Sequence, residues 1–399
     1  MLIITIVLFL LIGIWTTEYL RHQHNLRKIP IRIHVNGTRG KSSVTRLIAA
    51  GLRAGGLKTL AKTTGTLPRI IDEEGLEIPV PRPKMVNIIE QLDIVKFMSR
   101  RNPDAMVMEC MAVQPEYQWI CEHRMIKSTI GVITNARMDH VREMGPNIYQ
   151  ISRSLANTLP RNGVAFTSSK RSYPAMLKVA RKLNTELTTI PSSNVTSEEL
   201  AKFSYIEHPG NVCLALAVCE HLGIGRQTAL DGMYKSHPDV GAMKIFKVKP
   251  NGGEIYFINA LAANDPESTL EIWRNLDSIF KHRSHLSIML NTRADRFDRS
   301  IQLLEMIAAH IKFDELVLVG QKVDQVVINA TRLKIPRKKI TALGINKAEE
   351  VYKSMADNSA EDGLTIVYAI GNMGQGGLKV AEYFKNQAQV VVDSENVQS

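Results

Sequence analysis

The first twenty residues leave almost no room for polar side chains. Met1 to Trp15 reads M-L-I-I-T-I-V-L-F-L-L-I-G-I-W, and Thr-Thr-Glu-Tyr-Leu follows before the first cations, Arg21, His22, His24, Arg27 and Lys28. As a helix the apolar run reaches about 22 Å; adding Thr16 to Leu20, with Trp15 and Tyr19 at the interface, predicts a transmembrane anchor over residues 1–20. A buried N-terminal helix is the alternative. A cleaved signal peptide would need a basic start and a small-residue cleavage site, and neither is present. The positive charges follow the apolar run, which predicts a single-pass protein of the cell membrane with its remaining domains in the cytoplasm.

Beyond Pro30 the pattern changes to short apolar runs alternating with stretches of helical period. Strands are predicted at Ile31–Val35, Ala105–Glu109, Ile130–Thr134 and Gly163–Phe166, with helices at Ser43–Arg53, Asn87–Ser99 and Pro209–Leu222. The second half repeats the rhythm: strands at Ile255–Ile258, Leu286–Leu290, Glu315–Val319 and Thr365–Ile370, and helices near Ser268–Phe280, Arg299–Ile311, Val323–Arg332 and Lys347–Met355. Near-continuous apolar strands alternating with helices predict an α/β protein with parallel sheets covered on both faces. The Pro- and Gly-containing segment from His237 to Gly253 suggests the division into domains at 30–245 and 246–399.

Composition adds two limits. The 44% apolar and 22% charged residues are those of a globular chain, and the formal net charge is +11. A basic balance fits nucleic acid, an anionic membrane or an anionic substrate, but no basic helix with interleaved aromatics occurs, which argues against nucleic acid. Cys110, Cys121, Cys213 and Cys219 form no C-x-x-C pair, so neither a zinc site nor a redox dithiol is indicated.

The candidate chemistry begins at Asn36-Gly-Thr-Arg-Gly-Lys-Ser-Ser43, between a strand and an amphipathic helix. The backbone N–H groups of such a turn form a cradle for phosphate, with Lys41 set to neutralise β/γ-phosphates and the Ser42 hydroxyl to sit on Mg²⁺. In the full Walker spacing the first Gly would stand at position 35; here it is Gly37. Glu109, at a strand's carboxyl end on the same sheet edge, is placed to hold a hard cation.

The compressed G-T-x-G-K-S form resembles the P-loop of the Mur ligases and folylpolyglutamate synthases. Ile133-Thr-Asn-Ala-Arg-Met-Asp-His140 is similar to their T-N-x-x-x-D-H segment, His208 to Ala217 to their adenine-contacting helix, and Asn291 to Arg299 to a G-G-D-R-D-like loop. The resemblance implies an ATP- and Mg²⁺-dependent amide ligase: a P-loop ATP-binding domain of the Mur central type followed by a Rossmann-like C-terminal domain. It implies ATP binding by Gly37, Thr38, Arg39, Gly40, Lys41, Ser42, Ser43, Asn211, Arg293 and Asp295. Metal binding falls to Ser42, Glu109 and His140, and catalysis to Lys41, Glu109 and His140. Asn211 reads equally well as a helix cap, and Arg293 and Asp295 as a solvated loop. Arg142 and Glu143, where the family often has a further His, keep open roles. Lys244, Asn264 and Asp265 stand at two degraded landmarks, and Lys170 is a candidate for the carbamoylated lysine of many Mur ligases.

The anchor, the lack of a domain before the P-loop, and the stretches Lys62–Thr66, Glu109-Cys-Met-Ala112, Ala262–Asp265 and Arg293-Ala-Asp-Arg296 narrow the resemblance to the catalytic subunits of poly-γ-glutamate synthases. That implies glutamate and a growing polyglutamate chain as substrates, small membrane subunits as partners, and a capsule polymer as product. The alternative is a membrane-anchored P-loop ATPase that drives polymer assembly or export without forming a bond.

Overall fold

The computed structural model describes residues 2–392 apart from 65–67, 82–86, 204, 206, 238–242, 251–252, 264, 360–362 and 375. The chain forms two compact units, Met1–Glu199 with His208–Asp239, and Leu200–Glu207 with Val240–Ser399.

In the first unit eight strands form one sheet: β1 (Ile31–Asn36), β2 (Thr59–Thr63), β3 (Arg69–Ile71), β4 (Glu77–Pro79), β5 (Ala105–Glu109), β6 (Ile130–Ile133), β7 (Val164–Thr167) and β8 (Glu186–Thr189). Their order is β4-β3-β2-β5-β1-β6-β7-β8. From β2 to β8 every pair is parallel, and β1 lies between β5 and β6. β3 and β4 add on antiparallel, so the sheet is mixed rather than wholly parallel as the apolar pattern suggested. The reason is connection length: residues 64–68 and 72–76 are too few for a parallel crossover.

α1 (Leu2–Arg27) exposes its side chains from Leu2 to Leu20 and packs on the body only by its last turns. A His22 ring nitrogen lies 2.8 Å from the Met125 carbonyl, and Lys127 Nζ donates to Gln23 Oε1 at 2.6 Å. Leu26 and Ile29 enter a core cluster with Leu60, Val95, Met98 and Met106. The chain then enters β1 at its amino end, so the apolar helix and the P-loop lie at opposite ends of one strand. α2 (Lys41–Ala54) buries Val44 to Leu52, and α3 (Glu90–Ser99) covers the α1 docking site. α4 (Pro115–Ile120) runs on into a π-helical turn, Cys121–Ile126.

The second unit is built on β9 (Lys244–Val248), β10 (Glu254–Asn259), β11 (His285–Thr292), β12 (Glu315–Gly320), β13 (Ile340–Gly344), β14 (Leu364–Gly371) and β15 (Val390–Val392), in the order β13-β12-β11-β14-β10-β9-β15. β10 to β14 pair in parallel, whereas β9 and β15 pair antiparallel, a second departure from the all-parallel expectation. β9 lies across the 245/246 division that the sequence suggested, and it belongs whole to this unit. Alternate residues of the strands feed two cores. Ile288, Leu290 and Tyr368 pack with Trp273 and Leu303 on one face; Met289, Val317 and Val367 pack with Val351 and Phe384 on the other. Tyr368 is buried to its tip, and its hydroxyl donates to the Thr269 carbonyl at 2.7 Å, which satisfies that hydroxyl.

Candidate active site

The turn after β1 takes a conformation that only its sequence allows. Gly37 has φ +139°, and a Cβ there would stand 2.0 Å from Thr134 Oγ1. Gly40 has φ +77°, and a Cβ there would stand 2.5 Å from Asn211 Oδ1. Any other residue type at either position meets both the backbone strain and a clash. Gly40 is also the N-cap of α2 and offers no side-chain acceptor, so the first-turn N–H groups remain directed at whatever lies beyond the helix start.

The turn is braced from β6. The Thr134 N–H donates to the Asn36 carbonyl at 2.9 Å, and its hydroxyl donates to the Arg39 carbonyl. Asn135 uses both ends of its amide: Oδ1 accepts from the Thr38 hydroxyl at 2.7 Å and the Arg39 N–H at 3.2 Å, and Nδ2 donates to the Arg39 carbonyl at 3.1 Å. Arg39 in turn meets Asp139, Nη2 to Oδ2 at 3.0 Å. Thus Thr134, Asn135 and Asp139 of the T-N-x-x-x-D-H segment hold the P-loop in shape. That role is invisible in the sequence, because the partners stand about a hundred residues apart.

Gly37, Thr38, Lys41, Glu109 and His140 line one cavity of about 270 Å³, together with Thr64 and Met111. Lys41 Nζ donates to the Gly37 carbonyl at 2.7 Å. Glu109 is buried, and its Oε2 accepts from the Ser42 hydroxyl at 2.8 Å and the Thr64 N–H at 2.7 Å. These bonds satisfy a carboxylate that burial would otherwise penalise. His140 has φ +49°, and its Nδ1 is 3.9 Å from Glu143 Oε2, which gives Glu143 a place beside the site. Among the described residues no three His, Cys, Asp or Glu side chains converge on one point. A cation here would therefore share its coordination with ligand oxygens, the habit of Mg²⁺-like ions at phosphate sites.

Buried charges support this floor. Lys62, at the end of β2, is fully buried, with Nζ 2.7 Å from Glu90 Oε1 and 3.8 Å from Met111 Sδ of the cavity wall. On the same face of the sheet, His34 Nδ1 lies 2.8 Å from Glu122 Oε2, and the other Glu122 oxygen accepts from the Ser128 N–H and hydroxyl. Burial opposes charge on His34. Hydrogen bonding and electrostatic attraction by Cys110 and Glu122 outweigh it and push its pKa up to about 9.

The remaining sequence candidates fall in different places. Asn211 faces the P-loop at Gly40, and His208 rather than Asn211 caps its helix, accepting from the Gly210 N–H at 3.1 Å. Ser43 lies in the first turn of α2, half-buried. Arg293 and Asp295 belong to the second unit, where they form a fork with each other, Nη2 to Oδ2 at 2.8 Å. Burial would raise the Asp295 pKa; the Arg293 bonds outweigh it and hold the carboxyl below its ordinary range. Lys244 is held below the usual lysine pKa by burial and by Lys385. Asp265 caps the helix Pro266–Ile279 through the Ser268 N–H, Lys170 is exposed, and Asn264 lies outside the described residues.

With this geometry established, comparison with known proteins places the chain. Residues 35–222 match the Mur ligase middle domain, and residues 245–387 match the poly-gamma-glutamate synthase CapB C-terminal domain. The chain is 36% identical over 375 residues to the PGA synthase CapB of Bacillus subtilis (strain 168), covering 94% of each protein. It is 37% identical over 372 residues to the capsule biosynthesis protein CapB of Bacillus anthracis, covering 92% of this chain and 78% of that one. A solved bifunctional folylpolyglutamate synthase/dihydrofolate synthase from Yersinia pestis, complexed with AMPPNP and Mn ion, shares the fold. It aligns with TM-score 0.65 and 16% identity, over 92% of this chain and 91% of that one.

Proposed function

The chain belongs to the poly-γ-glutamate synthase CapB family, and from that premise we propose that the cavity under its P-loop is where ATP activates a glutamyl carboxylate. The protein is an ATP-dependent amide ligase of the Mur-ligase type that joins glutamate into poly-γ-glutamate. In that chemistry a carboxylate oxygen takes the γ-phosphoryl group of ATP with loss of ADP. The amine of the next glutamate then attacks the carbonyl carbon, expelling phosphate and releasing a proton.

The residues present fit these groups. Gly37 and Gly40 leave the backbone N–H groups unshielded by any Cβ, as close approach of a phosphate requires. Ser42 and Glu109 supply hard oxygen donors for a divalent cation, proposed to be Mg²⁺, with His140 across the same cavity; such an ion neutralises charge on the phosphates. Lys41 is proposed to bind the β/γ-phosphates, and Thr38, Arg39 and Ser43 to complete the cradle. Asn211 is assigned to the nucleotide because it abuts Gly40. Arg293 and Asp295 are proposed as further ATP-binding residues by their likeness to the family's loop; their own unit is read as Rossmann-like from its parallel strands with a core on each face. Positioning and electrostatics carry most of such a reaction.

The exposed apolar length of α1 is proposed to cross the cell membrane once, leaving both units in the cytoplasm beside small membrane partner subunits. The family carries the ligase assignment, and the Ser42–Glu109 bond supports the proposed nucleotide and cation site, because it joins the P-loop helix to an oxygen donor suited to a cation. The test is ADP release by the membrane-embedded protein with and without glutamate, with product masses read alongside. Glutamate-dependent release and products spaced by one glutamyl residue are expected; steady hydrolysis indifferent to glutamate would overturn the assignment in favour of an export ATPase.

A further inference from the structure

The second unit carries a cavity of about 580 Å³ where β11 and β12 begin, at the opposite sheet edge from the Asn291–Asp295 loop. Lys281, Arg283, Lys312, Lys334 and Lys339 line it, and Asp314 is the one carboxylate among them. The flanking segment reads Arg332-Leu-Lys-Ile-Pro-Arg-Lys-Lys339.

Few of these charges are balanced locally. Asp314 is committed to the sheet edge, where its Oδ2 accepts from the Leu286 N–H at 2.9 Å. Arg283 pairs with Asp277 at 2.8 Å, and Lys339 Nζ donates to the Phe313 carbonyl. Lys281, Lys312 and Lys334 are exposed, and among the described residues no carboxylate stands within ion-pair distance of any of them. Clustered like charges without counter-charges repel one another and focus a positive field into the concavity, which favours an anion. Phe313, Leu333 and Ile335 lie between the cations and give the cavity apolar walls.

We propose that this cavity is a second binding site for the product, a groove distinct from the P-loop cavity that holds the γ-linked polyglutamate chain. The inference rests on the ligase assignment. Along such a polymer each carboxylate is separated from the next by an amide and two methylenes, so cations alternating with apolar side chains match it in kind. A concave site suits a chain better than it suits a flat anionic membrane surface. Holding the chain here would keep the product bound between additions and so lengthen it.

The test uses the full chain in detergent and a fluorescein-labelled γ-linked glutamate decamer. Decamer affinity is measured by anisotropy for the wild type and the double variant Lys312→Gln/Lys334→Gln, both sites being exposed and outside the core. The variant is expected to bind the decamer roughly fivefold more weakly, with a shallower salt dependence. It should add glutamate to a short acceptor at the wild-type rate but make shorter products. Equal decamer affinity in both proteins, with normal ligation, overturns the groove alone; absence of ligation in the wild type overturns the ligase assignment beneath it. Unchanged decamer binding with lost binding to phosphatidylserine vesicles also overturns the groove, and assigns the patch to the membrane.

Discussion

The Ser42 hydroxyl donates to Glu109 Oε2 at 2.8 Å, tying the first turn of α2 to the carboxyl end of β5. Because Oε2 also accepts from the Thr64 N–H, substitution by the isosteric amide leaves one donor without an acceptor or turns an NH₂ group toward the cavity. Glu109→Gln should therefore lower glutamate-dependent ADP release by roughly a hundredfold or more. Ser42→Ala should chiefly raise the divalent-cation concentration needed for half-maximal rate. Both variants should keep the wild-type circular dichroism. A Glu109→Gln enzyme running at the wild-type rate across a metal titration would remove this residue from the site.

Gly40 is a position where strain and crowding can be separated. Placing alanine at φ +77° costs about 1–2 kcal/mol in the backbone alone, and the added methyl would also run into Asn211 Oδ1. Gly40→Ala should weaken ATP binding by more than tenfold, read by equilibrium dialysis. Adding Asn211→Ala removes the clash but not the strain, so the double variant should recover part of the loss, a non-additivity expected of residues in contact. If the double variant is worse by the sum of the two single effects, the two residues do not meet.

The buried His34–Glu122 pair makes stability depend on pH. Its folded pKa of about 9 stands above the ordinary 6.5, so the charged imidazole contributes stability that is complete below about pH 6.5. That contribution is lost as pH rises through about 9, and it is on the order of 3 kcal/mol. Urea unfolding should give a lower midpoint at pH 9.5 than at pH 6.5. Glu122→Gln should be destabilised at pH 6.5 and show a flatter profile, since removing one partner leaves a buried charge uncompensated. A wild-type midpoint indifferent to pH over this range would show that the imidazole is neutral throughout.

What could be read from the sequence follows from where each signal resides. β5, β6 and the central strands of the second unit announce themselves because both faces are covered and their residues run nearly all apolar, and β1 by its alternation Ile-Arg-Ile-His-Val. β2 reads Thr-Leu-Ala-Lys-Thr and passes unnoticed, since Lys62 is buried only by virtue of Glu90, far along the chain. β3, β4 and β15 have three residues each, too short for any period to register. The P-loop, Glu109 and His140 were legible because each follows a recognisable strand, and the fold gathers Lys41, Glu109 and His140 around one cavity. The bracing by Thr134, Asn135 and Asp139 was not legible, because it depends on which atoms meet across the sheet. Nor was the helix cap at His208, where the sequence offered Asn211 instead.

The division of labour within α1 gives the last prediction. Its residues from Leu2 to Leu20 are exposed, with Lys127 Nζ standing over the Tyr19 ring, whereas His22, Gln23 and Leu26 are bonded or buried in the body. The exposed length is about 28 Å as a helix, close to the thickness of a hydrocarbon core. Removing residues 2–20 should move the protein from the membrane fraction to the soluble fraction, with its melting temperature and circular dichroism nearly unchanged. Single glutamate addition to a short acceptor should survive, because β1 separates the helix from the P-loop at its far end. Removing residues 2–29 should behave differently: it deletes Leu26 and Ile29 from the core, a loss of about 2–5 kcal/mol for each buried side chain truncated. The shorter truncation remaining wholly in the membrane fraction would move the anchor to another part of the chain. Equal stability of the two truncations would mean that the last turns of α1 do not dock as described.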